Sequence, residues 1–293
     1  MNRSLRRRNA LAIGAVRGMV LLLVALLVWI IVFMLIQGWG ELTRGRFYTN
    51  VPNIGGPGSG VGPQLFNTVY VLVLSMLLAL PIGLAGGIFF AEYAGTGRVT
   101  NLLRRASETL ATLPSIVVGL FGYALFVQAT HSHPSRLAAA LSLTVINLPY
   151  VVRISEDALR ALPPALREGS LGLGATRWQT VYKVLLPAAL PALVTGVIIT
   201  AGRVFGEAAA ILFTGSNFSL TAHPNFSLSP FDSGDTLAVD LYVFRTQAEP
   251  AAVPDARQYA DGVAALLVMA VLVFNVGARL LGRAAVRRLQ RTA

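Results

Sequence analysis

Between Gly18 and Gly40 the sequence runs GMVLLLVALLVWIIVFMLIQGWG without a charged residue. An α-helix needs roughly 20 apolar residues to cross the hydrocarbon core of a bilayer. There, each backbone N–H and C=O must be satisfied inside the protein, which leaves helices and closed barrels as the only spanning structures. Five further apolar runs follow, at Leu65–Ala91, Thr109–Gln128, Leu137–Val152, Val184–Phe213 and Gly262–Ala278. With 55% apolar residues, the 293-residue chain lies outside the range of soluble domains. The expected fold class is an all-α membrane protein with six transmembrane helices. A basic head (Arg3, Arg6, Arg7, Arg8 and Arg17) precedes the first run, as in a secretory signal peptide. That run is too long for a signal core and no small-residue cleavage site follows it, so it reads as a retained first helix.

The net charge of +11 invites a nucleic-acid reading, which the distribution of charge excludes. The basic residues are scattered over short loops between apolar runs, where they carry topology. Most sit in the N-terminal head, in the loop with Arg98, Arg104 and Arg105, in the loop from Arg153 to Lys183, and in the tail with Arg279, Arg283, Arg287, Arg288 and Arg291. Six spans put these four segments on one side, and the positive-inside rule makes that side cytoplasmic. The opposite loops hold only Arg44, Arg46, Arg136, Arg245 and Arg257. The long loop from Gly215 to Asp261 is then external and acidic (Asp232, Asp235, Asp240, Glu249, Asp255 and Asp261). Most of these acids are expected to be solvated surface, and Thr236 to Phe244 forms an amphipathic stretch suited to an external partner. The resulting organisation is a cytoplasmic head (1–17), a first helix (18–40), an external Gly/Pro loop (41–64), a five-helix core (65–282) with a cytoplasmic loop at 153–187, and a basic tail (283–293).

Chemistry is scarce. There is no cysteine, hence no disulfide and no thiolate metal site. His131 and His133 beside Pro134 make no metal centre. A nucleotide-binding P-loop needs G-x-x-x-x-G-K-[ST], and the only lysine, Lys183, lies between Tyr182 and Val184. No Ser/His/Asp constellation falls within the spans. The chain is therefore expected to be no enzyme and to carry no cofactor or metal of its own. Pro81, Pro114 and Pro149 place a proline in each of the second, third and fourth spans. Backbone groups freed there need protein or water partners, which suits helices buried in a bundle or lining a pathway. A plain packing kink is the other reading.

Two polar features interrupt the apolar pattern. The first is EGSLGLGATRWQTVYKVLLP, from Glu168 to Pro187. Pro163 and Pro164 can open a helix, because first-turn N–H groups have no helical partner. That helix should run to about Ser170 and carry Arg167 and Glu168. Gly172 and Gly174 permit a reversal, and Thr176 with Gln179 fits a capping box for a second helix, Arg177–Leu186. A compact helix–turn–helix of this kind is suited to docking in a partner's groove. The second feature is Arg203 with Glu207, inside an apolar run. A charge at the bilayer centre costs roughly 2.5–3.5 kcal/mol on insertion scales and is by default functional. At i and i+4 the two share a helix face and can pair. The alternative is a structural pair that fixes the helix or meets another subunit.

The spacing of Glu168, Gly174, Val184, Leu186 and Pro187 resembles the cytoplasmic coupling loop of binding-protein-dependent ABC importer permeases. One departure is Gly169–Ser170, where that family usually has two alanines. LPSIVVGLFGYALF (Leu113–Phe126), NLPYVVRISEDALRALP (Asn147–Pro163), GRVFGEAAAILFTG (Gly202–Gly215) and NTVYVLVLSMLLALPIGLAGGIF (Asn67–Phe89) are similar to phosphate permeases of the PstA kind, so that the likeness covers Asn67 to Gly282. The resemblance implies a type I importer fold in a bacterial inner membrane and alternating access driven by a separate ATPase. It implies coupling to that ATPase through Arg167, Glu168, Gly172, Gly174, Leu186 and Pro187. It also implies a PstC-like sister permease, a PstB-like ATPase dimer that holds ATP and Mg, and a PstS-like external phosphate-binding protein. The guanidinium of Arg203 offers a donor fork suited to phosphate oxygens. Glu207 would orient it or accept the proton-bearing oxygen of hydrogen phosphate. Ser115, Asn147 and Asn67 are further pathway candidates, although interhelical hydrogen bonds are the commoner use of such side chains. Open alternatives are another oxyanion or small solute on the same fold, a membrane scaffold for phosphate sensing, and an autonomous secondary transporter.

Overall fold

The computed structural model describes residues 3–50, 60–95, 97–216, 226–246 and 256–292, and each regular element among them is helical. The first helix, α1 (Arg3–Leu42), is longer than its apolar run, because the basic head continues it. A short α2 (Gly45–Thr49) buries Phe47, while residues 51–59 of the expected Gly/Pro loop lie outside the described residues. Then α3 (Gly62–Ile88) opens with Pro63 in its first turn, passes through Pro81 and ends in a π-turn, Phe89–Tyr93.

The expected single span Thr109–Gln128 is instead two helices. α4 (Arg98–Thr112) and α5 (Ser115–Tyr123, prolonged by a π-turn to Gln128) meet at a bend of 100°. Pro114 disfavours helical backbone at the residue before it, and Leu113 is accordingly extended (ψ 137°). No residue of α4 is buried, and Val99, Leu102 and Leu103 are exposed beside Arg98, Arg104 and Arg105. Such an amphipathic helix suits the bilayer surface, not its interior.

The fourth span is longer than expected. α6 runs Arg136–Arg160, its first turn capped by Ser135 Oγ accepting from Ala138 N (3.2 Å), so Arg153, Asp157 and Arg160 are helical instead of loop. After α7 (Pro164–Gly172) and α8 (Arg177–Thr180), a third π-turn (Val181–Leu185) leads into α9 (Leu186–Phe205). The expected fifth span to Phe213 is broken: α9 stops at Phe205 and α10 (Ala209–Thr214) resumes after Gly206. Finally α11 (Leu237–Thr246) precedes α12 (Ala256–Thr292), which absorbs the basic tail into one helix. Among the described residues, five helices are long and apolar enough to cross a membrane, or six if the bent α4–α5 pair is one span. Gly38 near the end of α1 lies against Asp261 and Ala265 near the start of α12, so the start of α1 and the end of α12 lie at one end of the bundle, here the terminal end. The far end carries α2 and α11.

The bundle centre is the α3–α6 contact, and glycine brings the two helices together. A Cβ on Gly87 would lie 2.3 Å from Ser155 Cβ and 2.8 Å from the Val152 carbonyl oxygen, and one on Gly83 would lie 2.5 Å from Val151 Cγ1. Around this seam Val71, Leu72 and Met76 of α3 pack with Leu143 and Ile146 of α6 and Val204 and Phe205 of α9.

At the far end, the expected solvated acidic loop is partly core. Leu237, Val239, Asp240 and Phe244 of α11 are buried against α3 and α12, with Phe47, Val61 and Tyr259. Asn67 Nδ2 donates to the Asp235 carbonyl (3.1 Å), Leu237 N to Thr68 Oγ1 (2.9 Å) and the Tyr259 hydroxyl to Asp240 Oδ2 (2.8 Å). Asp261 pairs with Arg245. Glu249 and Asp255 lie outside the described residues. Arg136, expected in an external loop, is fully buried at the start of α6, where it donates to the Ser227 and Ser229 carbonyls and lies against the rings of Phe66 and Tyr70. A polar end of this kind is absent from hydropathy and follows from packing a loop into the bundle mouth.

Replacing Gly87 with valine should lower stability by about 1–3 kcal/mol through overpacking, read as a depressed thermal midpoint in detergent. Gly277→Val is the control, because no atom lies within 4 Å of a Cβ there. A second expectation concerns pH. Burial pushes the Asp240 carboxyl up to about 7 from an ordinary 3.8, helped by the neighbouring charge of Asp235 and opposed by the Tyr259 hydrogen bond. The folded protein therefore binds this proton more tightly than the unfolded chain. The stabilisation is complete below about pH 4, declines as pH rises and is lost above about 7. Thermal midpoints should fall as pH rises from about 4 to about 7, and Asp240→Asn should flatten that slope.

Candidate functional site

At the terminal end, α7 and α8 form an elbow. Pro164 occupies the first turn of α7. The chain reverses at Gly174, whose φ of +85° is left-handed and favours glycine. Gly174 N donates to the Leu171 carbonyl (2.9 Å) and Ala175 N to that of Ser170 (3.2 Å), which closes α7. The capping box forms as the sequence predicts: Gln179 N donates to Thr176 Oγ1 (3.3 Å) and Thr176 N to Gln179 Oε1 (2.8 Å). The hydroxyls of Ser170 and Thr180, 2.9 Å apart, tie the two arms. Pro187 has no N–H to give the Lys183 carbonyl, and the π-turn at Val181–Leu185 falls at that gap. Beneath the elbow, Leu159, Val181, Leu185 and Ala189 make a small core, with Leu186 packed on it.

The elbow shows an apolar face to solvent. Leu173 at its tip is 92% exposed, and Leu166, Leu171, Trp178 and Tyr182 are also exposed, next to Glu168. Exposed apolar side chains of this kind beside a charge suit a protein interaction surface. Arg167 does not belong to that face. It turns inward to Glu92, which the sequence reading did not single out: Arg167 Nε and Nη2 donate to Glu92 Oε1 at 2.9 and 2.7 Å.

The second site is the break between α9 and α10. Gly206 N donates to the Arg203 carbonyl and Glu207 N to that of Val204, both at 3.2 Å, so the helical ladder ends there. The expected i,i+4 face is lost with it, and Arg203 and Glu207 form no ion pair among the described residues. The Arg203 guanidinium instead lies 4.2 Å from the ring centroid of Tyr150, in the middle of α6, and remains exposed. A guanidinium stacked on a ring keeps its edge donors available for an oxyanion. Tyr150 is fixed by donating its hydroxyl to the Ala111 carbonyl (3.0 Å) at the α4–α5 bend. A cleft of about 330 Å³ between α4 and α6, lined by Tyr150, Arg104, Ser107 and Arg153, opens beside the ring. No periodicity marked Tyr150, since an aromatic in an apolar run reads as core.

The other candidates do not gather at this point. Asn67 is spent on the Asp235 carbonyl at the far end. Asn147 is buried within α6, with Nδ2 bonded to the Leu143 carbonyl (2.8 Å). Ser115 is half-buried at the start of α5. His131 and His133 are exposed, and among the described residues there is no cluster of metal-ligating side chains.

Residues 83–291, from the last turns of α3 to the end of α12, match the model of the binding-protein-dependent transport system inner membrane component. The chain belongs to this family. Members of this ABC importer permease family are non-catalytic membrane subunits that work with separate ATPase and substrate-binding proteins. The chain is 42% identical over 290 residues to a probable ABC transporter permease protein, YqgI, of Bacillus subtilis, covering 96% of this chain and 97% of that one. It is 31% identical over 291 residues to the phosphate transport system permease protein PstA 1 of Mycobacterium tuberculosis, covering 97% and 92%. In fold it is similar to a bacterial alginate ABC transporter chain, with a TM-score of 0.70, 14% identity and 96% of both chains covered. The architecture is that of a type I importer permease, as the sequence resemblance implies.

Gly174→Ala should strain the reversal by about 1–2 kcal/mol. Membrane levels of the permease should persist while capture of the ATPase in a pull-down weakens by about tenfold.

Proposed function

We propose that this permease is one membrane half of an ATP-driven phosphate importer. The observation that carries the reading is the end-to-end similarity to a phosphate transport permease, at 31% identity over 97% of the chain. The exposed guanidinium at the helix break supports it. Non-helical backbone at membrane depth persists where protein or water covers it, and a cation held there on a ring suits a passing oxyanion. Arg203 binds the phosphate oxygens. Glu207, free of Arg203, accepts the proton of hydrogen phosphate and thereby disfavours sulfate.

On this reading the basic terminal end is cytoplasmic and the chain lies in a bacterial inner membrane. A sister permease of PstC kind completes the pathway and a PstS-like protein delivers phosphate at the far end. A PstB-like ATPase pair, which holds the ATP and Mg, docks on the elbow around Glu168, Leu173 and Trp178. Nucleotide-driven closure of the ATPases moves the elbow, and the bundle changes the side to which its cavity opens. No covalent step occurs in this chain.

The test is reconstitution of the full transporter in liposomes with radiolabelled phosphate. Uptake should require the binding protein and ATP, and a tenfold excess of sulfate should leave it unchanged. Arg203→Gln should lower it by at least tenfold with the complex still assembled. Equal competition by sulfate would refute phosphate selectivity, and normal uptake by the Arg203 variant would refute the pathway role.

A further inference from the structure

The π-turn Phe89–Tyr93 at the end of α3 is held by two arginines from different elements. Arg167, on α7, makes a forked contact with Glu92: Nε donates to Oε1 (2.9 Å) and Oε2 (3.2 Å), and Nη2 donates to Oε1 (2.7 Å). The same guanidinium donates to the Leu159 (2.6 Å) and Leu162 (3.3 Å) carbonyls, at and just past the last turn of α6, where Pro163 has no N–H to give Leu159. Arg160, at the end of α6, donates to the Phe90 carbonyl (3.1 Å) and pairs with Glu156 (3.1 Å). One side chain of the elbow thus fastens the ends of two spans. The pair is largely enclosed, with Arg167 23% and Glu92 13% exposed, so water screens it less than a surface ion pair.

Above the fastening, α3 and α6 cannot slide freely. Gly83 and Gly87 let α6 approach so closely that side-chain and backbone atoms of Val151, Val152 and Ser155 occupy the space of a Cβ. A push on the elbow reaches α6 and α9 through the chain itself. It reaches α3 across side-chain contacts, among them the packing of Leu84, Ile88 and Ala91 on the elbow core and the Arg160–Phe90 bond, and Arg167–Glu92 is the ion pair that ties the elbow itself to the π-turn.

We propose that the π-turn Phe89–Tyr93 receives the elbow's motion, and that Arg167 and Glu92 are positioning residues that make α7, α6 and α3 move as one body. The proposal rests on the coupling role given above. In that motion α3 and α6 shift against α5, which is joined to α4 by the bend at Pro114 and packs on α10.

The chain has no cysteine, so nitroxide labels can be placed at Leu77→Cys on α3 and Phe121→Cys on α5, both exposed, in the complete transporter. A non-hydrolysable ATP analogue should shift the distance between the labels by several ångströms. Arg167→Gln and Glu92→Gln should each retain the ATPase in a pull-down, lose most of that shift and lower uptake by at least fivefold. The double variant should be no worse than Arg167→Gln alone, because that substitution already removes the contact with Glu92. Arg167→Lys, which keeps a charge for Glu92, should retain part of the shift. Glu92→Gln leaves the elbow's sequence intact and decides the matter where Arg167→Gln fails to assemble. A full shift in the assembled Gln variants, additive losses in the double variant, or no shift in the parent with ATPase bound would each overturn the proposal. Failure of the parent chain to capture any ATPase would remove the coupling reading itself and this inference with it.

Discussion

A lipid bilayer offers no hydrogen bond to an open backbone, and the architecture of this permease follows from where that rule is obeyed and where it is circumvented. Long uninterrupted helices face the surroundings, α1 above all, whose most apolar stretch is not buried at any point. Interruptions fall where something else meets the released groups. The α4–α5 bend is covered by the Tyr150 hydroxyl on the Ala111 carbonyl. The end of α6 is met by Arg167 on the Leu159 and Leu162 carbonyls. Among the described residues, the break after Phe205 has local turn bonds and a stacked arginine beside it. In the proposed pathway, this break is where the chain would meet a hydrated ion.

The elbow and the break are joined by stiff material. The elbow rests on a small apolar core shared with α6 and the start of α9, and its arginine grips the end of α3. α9 then runs without a gap from that core to Arg203. α6 carries Tyr150, against which Arg203 lies. Tightly packed elements transmit displacement because their interiors compress little. On the proposed coupling reading, a movement of the elbow would reach the ring and the guanidinium along two helices.

Much of this was legible in the sequence, for reasons that differ from element to element. The spans were visible because crossing lipid demands unbroken apolarity. The elbow was visible because its devices are local: a proline at a first turn, a glycine at a left-handed position, and Thr176 three residues from Gln179. What failed were inferences across a break. The Arg203–Glu207 pairing assumed a helix that Gly206 ends, and the third span assumed that Pro114 kinks α4–α5 where it turns it through 100°. The buried Arg136, Asp240 and Tyr259 at the far end, and Glu92 under the elbow, were hidden for another reason. Their partners lie far along the chain, so no spacing announces them, and a charged residue in a loop reads as solvated until the fold shows what covers it.

α1 stands apart from this arrangement. It leans almost wholly on α12, through Gly38, where a Cβ would meet Ala265, and no part of its most apolar stretch is buried. The family model begins at residue 83, inside α3, so α1 lies before it, while the relatives of full length align with 96–97% of the chain. It behaves as an outrigger: a greasy mast lashed to the hull along a single seam, with the rest of its circumference left to whatever neighbour the membrane supplies.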